Sequence, residues 1–173
     1  MLFFNNLTVV FVFKMKFSKR SNNNKHLRKQ ILYPGIRFDI HGKRPISIRQ
    51  PLELDELKLI VKMKCNIRLR SPKTEQLYQI AKHNTNKIKK ELDKYSHNTI
   101  IRLKNNYPYN LKPNLQHWVA WTKGYTWNDL NKLMCKKRLP FLDNAAFYWI
   151  NDPKFRSIST IPHYHLIYKN KYK

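Results

Sequence analysis

The sequence predicts an α+β fold, a small antiparallel sheet of at least three strands with helices packed on it. Three observations predict it. Two runs open with helix-start signals, "SPKTEQ" at Ser71 and "TWND" at Thr126. Three short aromatic and β-branched runs, "QHWVAW", "AAFYWIND" and "TIPHYHLIYKN", read as strands. Their order lacks the regular strand–helix alternation of a parallel sheet.

The 173 residues suit one domain with tails. Residues 1–51 read as an apolar start followed by a basic, largely irregular arm, and 52–173 as a single α+β domain. The start, "MLFFNNLTVVFVF", is followed rather than preceded by charge, the reverse of a secretory signal. It is also far shorter than the roughly 20 residues that span a bilayer. Three readings stay open for residues 1–13: a strand, a weak membrane-surface contact, or sequence upstream of a start at Met15. Within the arm, Pro34, Gly35, Gly42, Pro45 and Pro51 predict irregular structure with one strand pair.

The elements follow in order. "LELDELKLIVKMK" puts Leu54, Leu57, Ile60 and Val61 at helical spacing, with acids in the first turn and lysines in the last, as the helix dipole favours. Next, one long helix is expected from Ser71 to Tyr95. Ser71 is its N-cap, Pro72 its first residue, and Leu77, Ala81, Ile88, Leu92 and Tyr95 its apolar stripe. "SHNTIIRLK" reads as a short further helix. "QHWVAW" is a strand, "TWNDLNKLMCKKR" a helix with Thr126 as N-cap and Asp129 three residues on, and the two last runs are strands.

The net charge of +25 is extreme for this length and attracts polyanions, either nucleic acid or an acidic protein surface. Between Lys14 and Arg49 lie eleven basic residues and one acid. Lys16, Lys19, Arg20, Lys25, Arg28, Lys29, Lys43 and Arg44 are the expected polyanion contacts. AT-rich codons also raise the lysine and asparagine content, so codon bias competes with function as the origin of the charge. Two cysteines without CxxC spacing argue against a disulfide framework and against a cysteine zinc site. A reducing, intracellular setting follows: cytoplasm, nucleus or virion. There is no Gly-rich phosphate loop, HExxH or GxSxG.

The segments "LRSPKTEQLYQ", "YSHNTIIRLKNNYPYNLKPNLQHWVAWTK" and "FYWINDPKFRSISTIPHYHLIYKN" occur in an order that resembles the fungal N-acetylglucosamine-induced protein family, which has members in large DNA viruses. The resemblance spans about Leu69 to Lys169. It rests on Asn105 to Tyr109, His117 to Trp121, Trp149 with Asn151, Ser157 with Ile158, and His163 with His165. Two positions depart from the family pattern: Asn106 stands where it has Asp, and Tyr107 where it has Trp. The family has no assigned reaction, so the resemblance implies a fold rather than an activity.

His163 and His165, two apart on a strand, face one side, and His117 shares a face with Val119 and Trp121. On neighbouring strands the three imidazoles would converge, as catalytic residues or as zinc ligands. The competing reading is a sheet whose histidines bond backbone or Asn151. Asn105, Asn106, Tyr107, Tyr109, Trp149 and Asn151 are the candidate ligand wall, with core packing as the alternative. Asp152 offers a carboxylate that could join the histidines, but "NDP" also reads as a turn that ends the strand. Three functions compete: a non-enzymatic basic protein contacting nucleic acid or an acidic assembly, a small enzyme using His117, His163 and His165, and a structural particle component.

Overall fold

The computed structural model describes residues 32–39, 42–82 and 85–170. Lys16, Lys19, Arg20, Lys25, Arg28 and Lys29, and the apolar residues 1–13, lie outside the described residues.

The first element pair is an antiparallel hairpin, β1 (Ile36–Phe38) and β2 (Pro45–Ile48). Its Ile36 and Phe38 are buried and pack with Leu52 and with Ile60 of α1 (Leu54–Lys62). The boundary expected near residue 51 therefore cuts through a packed cluster, and the hairpin belongs to the folded unit. A buried carboxylate fixes the docking. Glu56 accepts from Gly35 N at 2.6 Å and from Glu53 N at 2.8 Å, the second bond closing a capping box at the start of α1. A Cβ on Gly35 would come within 2.5 Å of that carboxylate, so glycine is required by close approach. Met63 caps α1 and Lys64 takes the left-handed conformation that ends it.

The helix expected over 71–95 is two helices, α2 (Pro72–Ala81) and α3 (Asn86–Asp93). Ser71 caps α2 by accepting from Thr74 N, and Pro72 opens it, as the sequence predicts. The single stripe fails: Leu77 and Tyr95 are exposed, whereas Ile88 and Leu92 reach the core. Thr85, at the N-cap of α3, marks the break between them. Thr85 makes no side-chain cap bond there, so the break is not held by capping chemistry. "SHNTIIRLK" is likewise not a helix. It contributes β3 (Thr99–Lys104), because its β-branched pair Ile100–Ile101 finds a sheet edge to join.

The main sheet is antiparallel, in the order β3, β4 (Leu115–Lys123), β6 (His163–Lys169), β5 (Phe147–Trp149). The fold class is thus the α+β arrangement expected from the sequence, with four strands in the larger sheet. Its two outer strands are protected, β5 by being three residues long and β3 by its exposed Arg102 and Lys104. Register fixes the faces. Trp121 lies opposite His163, Val119 opposite His165 and His117 opposite Ile167, while Trp149 lies opposite His165. One face therefore carries His117, Val119, Trp121, His163, His165, Ile167 and Trp149. It is covered by Leu92 of α3 at one end and Leu57 of α1 at the other. The opposite face carries Ala120, Tyr164 and Leu166 and is covered by Leu130 of α4 (Trp127–Cys135). Thr126 caps α4 in a reciprocal box with Asp129, as predicted. No described helix is long and apolar enough to cross a membrane.

Candidate functional site: a cationic cleft over buried histidines

Between the two covered ends of the first face, the sheet is open to a cleft of about 1210 Å³. The sheet forms its floor through His163, His165, Trp121 and Trp149. Its walls come from the end of α1, from α2, from the Asn105–Tyr109 segment and from the turn after β5. Every candidate ligand residue, Asn105, Asn106, Tyr107, Tyr109, Trp149 and Asn151, lines this cleft, so the wall read from the sequence is assembled in one place. Asn106 is the exposed one, and Trp149 is nearly closed off, at 6% exposure.

The histidines share a face as their parity requires, but they divide into a pair and a single ring. His117 Nε2 and His165 Nδ1 are 2.9 Å apart. His163 meets His165 edge-on at 5.6 Å between ring centres and turns its Nδ1 toward Ile161 O at 2.8 Å. No three His, Cys, Asp or Glu side chains converge on a metal position among the described residues. Of the two readings open for the histidines, the three-histidine zinc site is not formed. One of its nitrogens is committed to a backbone carbonyl, and the other two rings hydrogen-bond each other. His117 is also not among the residues lining the cleft, because Tyr109 covers it at 4.5 Å between ring centres.

All three rings are held neutral. Burial, with the nearby Arg70 charge second, lowers His117 to about 3. Burial lowers His163 to about 4, against the Ile161 carbonyl that favours its proton. His165 is driven down by burial and then by its two histidine neighbours. With Nδ1–H donated to Ile161, the Nε2 of His163 is an acceptor. Among the described residues, Asn170 Oδ1 is the one fully buried side-chain polar atom without a partner. His163 itself lines the cleft.

The cleft is strongly cationic. Among the described residues, eight lysine and arginine side chains line it against two carboxylates, Glu75 and Asp152, and both acids are occupied. Glu75 pairs with Arg70 at 3.4 Å and Asp152 with Lys64 at 3.2 Å. Asp152 also accepts from Lys154 N and caps the short 3-10 turn Pro153–Phe155, the turn role read from the sequence. Two arginines are held rigidly. The Arg70 guanidinium stacks 3.5 Å from the Tyr78 ring centre and its Nε donates to Tyr107 O at 2.9 Å. The Arg156 guanidinium stacks 3.7 Å from the Trp127 ring and its Nε donates to Asn151 O at 2.9 Å. Tyr78 donates to Ser157, joining α2 to the segment that carries Arg156. Neither arginine stood out in the sequence. Their signal was their place, one before the Ser71 cap and one after the "NDP" turn, which gains meaning only once the segments meet. Lys43 and Arg44, by contrast, sit exposed on the hairpin turn and not in the cleft.

No family model and no curated protein matches the chain. Among solved structures, the crystal structure of HTC1 superposes with a TM-score of 0.50 at 16% identity, covering 72% of this chain and 85% of that one. At that identity the likeness extends to the fold, a small antiparallel sheet with helices on it.

Proposed function

We propose that the protein is a non-enzymatic binding protein for polyanions, nucleic acid first among them, and that the cleft is where its contacts are most specific. The observation that carries this reading is the cleft's charge, among the described residues eight cations against two acids that are already paired. A low-dielectric, cationic concavity concentrates anions well beyond what scattered surface lysines do. The net charge of +25 on the whole chain supports the same class of partner. Tyr107 and Tyr78 line the cleft with rings against which an unpaired base could stack.

The test is fluorescence anisotropy with labelled single-stranded and duplex oligonucleotides, from about 50 to about 200 mM salt. A steep fall in affinity with salt, and loss on charge reversal at Lys16, Lys19 and Arg20, supports the reading and measures the arm's share. Absence of binding at the low-salt end defeats it.

A second reading is a small enzyme. It is favoured by His163, whose neutral ring lines the cleft. Membership of the N-acetylglucosamine-induced protein family is part of this proposal. Its support is that segments far apart in sequence, around Asn105, Trp149 and His163, border the same cleft. A reducing compartment is supported by Cys65 and Cys135, both free thiols.

A further inference from the structure

We propose that the cleft contains a built subsite for one phosphate-type oxyanion, centred on Asn151 between Trp149 and His165 and flanked by Arg156 and Arg70. This deepens the polyanion reading by naming the group that enters the cleft, but it does not depend on nucleic acid being its source.

Hydrogen-bond donors outnumber acceptors around Asn151. Tyr109 N donates to His117 Nδ1 at 3.2 Å, and Asn105 Nδ2 lies 3.3 Å from the same atom. The Asn105 amide cannot turn round, because its Oδ1 accepts from Tyr107 N at 2.9 Å. His117 Nδ1 is therefore an acceptor, and its proton is on Nε2, which donates to His165 Nδ1. The proton of His165 is then on Nε2, 3.0 Å from Asn151 Nδ2. Asn151 Oδ1 is already the acceptor for Trp149 Nε1, at 2.9 Å. A ring N–H thus faces an amide NH2.

Turning the Asn151 amide over does not remove the conflict. Its oxygen then serves His165, and the Trp149 indole N–H faces the NH2 instead. The Tyr109 hydroxyl, which also bonds the Asn151 side chain, accepts one bond but brings a further O–H of its own. In either orientation one more N–H is present than the group can pair. An orphaned buried donor is costly, so a native site with this composition is short of an acceptor.

The surplus sits where an acceptor can arrive. His165 and Trp149 are each more than nine-tenths buried, and both line the cleft together with Asn151. An anion with several oxygens suits the place better than a neutral carbonyl. Arg156 is locked beside Asn151 through the Asn151 carbonyl and stacked on Trp127; the Asp152 charge acts on it, but no ion pair to its guanidinium is seen among the described residues. Arg70 lies across Tyr109, 5.3 Å from that ring's centre. Fixed donors and fixed guanidinium groups pre-organise a phosphate site without further ordering.

The experiment is NMR on the full chain, following the Trp149 indole N–H and the His165 ring nitrogens during titration with inorganic phosphate and with a 5′-mononucleotide. Calorimetry gives the affinities. Saturable shifts at both residues are expected. Asn151→Asp should weaken phosphate binding roughly ten- to hundredfold, the worth of a charge-assisted bond. The new carboxylate takes both donors itself and repels the anion, so this variant is expected to stay folded, which its NMR spectrum reports. Two arms identify the source. Tighter binding of a 5′-phosphorylated than a 5′-hydroxyl single strand supports the subsite and assigns it to nucleic-acid ends. Binding of the mononucleotide with indifference to the strand's terminal phosphate supports it for small ligands, even if oligonucleotide binding itself fails. No shift at Trp149 while the protein demonstrably takes up phosphate elsewhere overturns the proposal. So does an unchanged affinity in folded Asn151→Asp.

Discussion

Along β6, Tyr164 and Leu166 turn to one side of the sheet, and His163, His165 and Ile167 to the other. The first set is closed against Leu130 and Leu139, with Tyr164 and Leu166 wholly buried. Three hydroxyls on that side donate to backbone carbonyls. Tyr164 donates to Pro140 O and Tyr168 to Phe141 O, both at 2.7 Å, and Thr122 to Pro162 O, also at 2.7 Å. The second set meets side chains that themselves titrate or carry amides, and it borders a cleft. The same backbone pleat thus sends alternate residues to two tasks. One face is apolar and satisfied. The other keeps neutral imidazoles and an unbalanced set of donors under a ring of cations, an arrangement that stability alone does not favour.

The largest effect that would test this division is on the closed face. Leu166→Ala removes a fully buried side chain from a packed cluster and should cost roughly 2–5 kcal/mol. A half-buried wall ring such as Tyr107, tilted against Tyr78 at 5.8 Å between ring centres, should cost about 1 kcal/mol when cut to Ala. Urea unfolding followed by tryptophan fluorescence compares them. Equal costs would show that the cleft face carries as much of the stability as the closed one.

The histidines supply the next effect, through pH. Their folded-state values lie below the ordinary 6.5, so between that value and the folded one the unfolded chain binds more protons than the native chain. Stability must therefore fall as pH drops below about 6.5 and level off only near the folded values. For His163, lowered to about 4, the linkage amounts to roughly 3 kcal/mol across the window. His163→Asn keeps a donor for the Ile161 carbonyl and removes the titration. Carboxylates titrate in the lower part of the same range, so the difference between the two proteins is the informative quantity. It should grow from pH 7 to pH 4 in favour of the variant. Parallel curves would mean that His163 is not held neutral in the fold.

Much of this was readable from residue order. The caps at Ser71 and Thr126, strand β4 and the shared face of His163 and His165 all follow from local chemistry and a period of two. Strand β3 was misread because its identity depends on partners. Ile100 and Ile101 suit a strand edge as well as a helix until β4 lies beside them. The hairpin β1–β2 was assigned to the arm because prolines and glycines masked two buried residues, Ile36 and Phe38. The site was legible as a residue set but not as geometry. Which His bonds which, that Arg70 reaches Tyr107 O and that Arg156 reaches Asn151 O depend on a contact 37 residues apart in the second case and on a turn in the third. The zinc expectation failed for the same reason, since parity fixes a face but not the direction of a ring nitrogen.

The smallest effect concerns a third arginine, on the closed face. Arg102 lies over the edge of that face, 5.0 Å from the Trp118 ring centre, 5.2 Å from Phe141 and 5.1 Å from Tyr168. It donates to the Tyr168 hydroxyl at 3.0 Å and is exposed to water. Like Arg70 and Arg156 it sits on aromatic rings, but no surplus donor lies beneath it and it does not line the cleft. Arg102→Ala should therefore cost only about 0.5–1 kcal/mol, the range of an exposed cation–π contact. Arg102→Lys should recover part of that, because a point charge keeps the attraction but loses the flat stacking surface. Neither change should alter phosphate affinity beyond the small effect of one surface charge at moderate salt. Arg156→Gln, measured beside them, should leave a clear loss. If Arg102→Ala weakens phosphate binding as much as Arg156→Gln does, the anion is drawn by net charge alone, and the two faces do not differ in the way described.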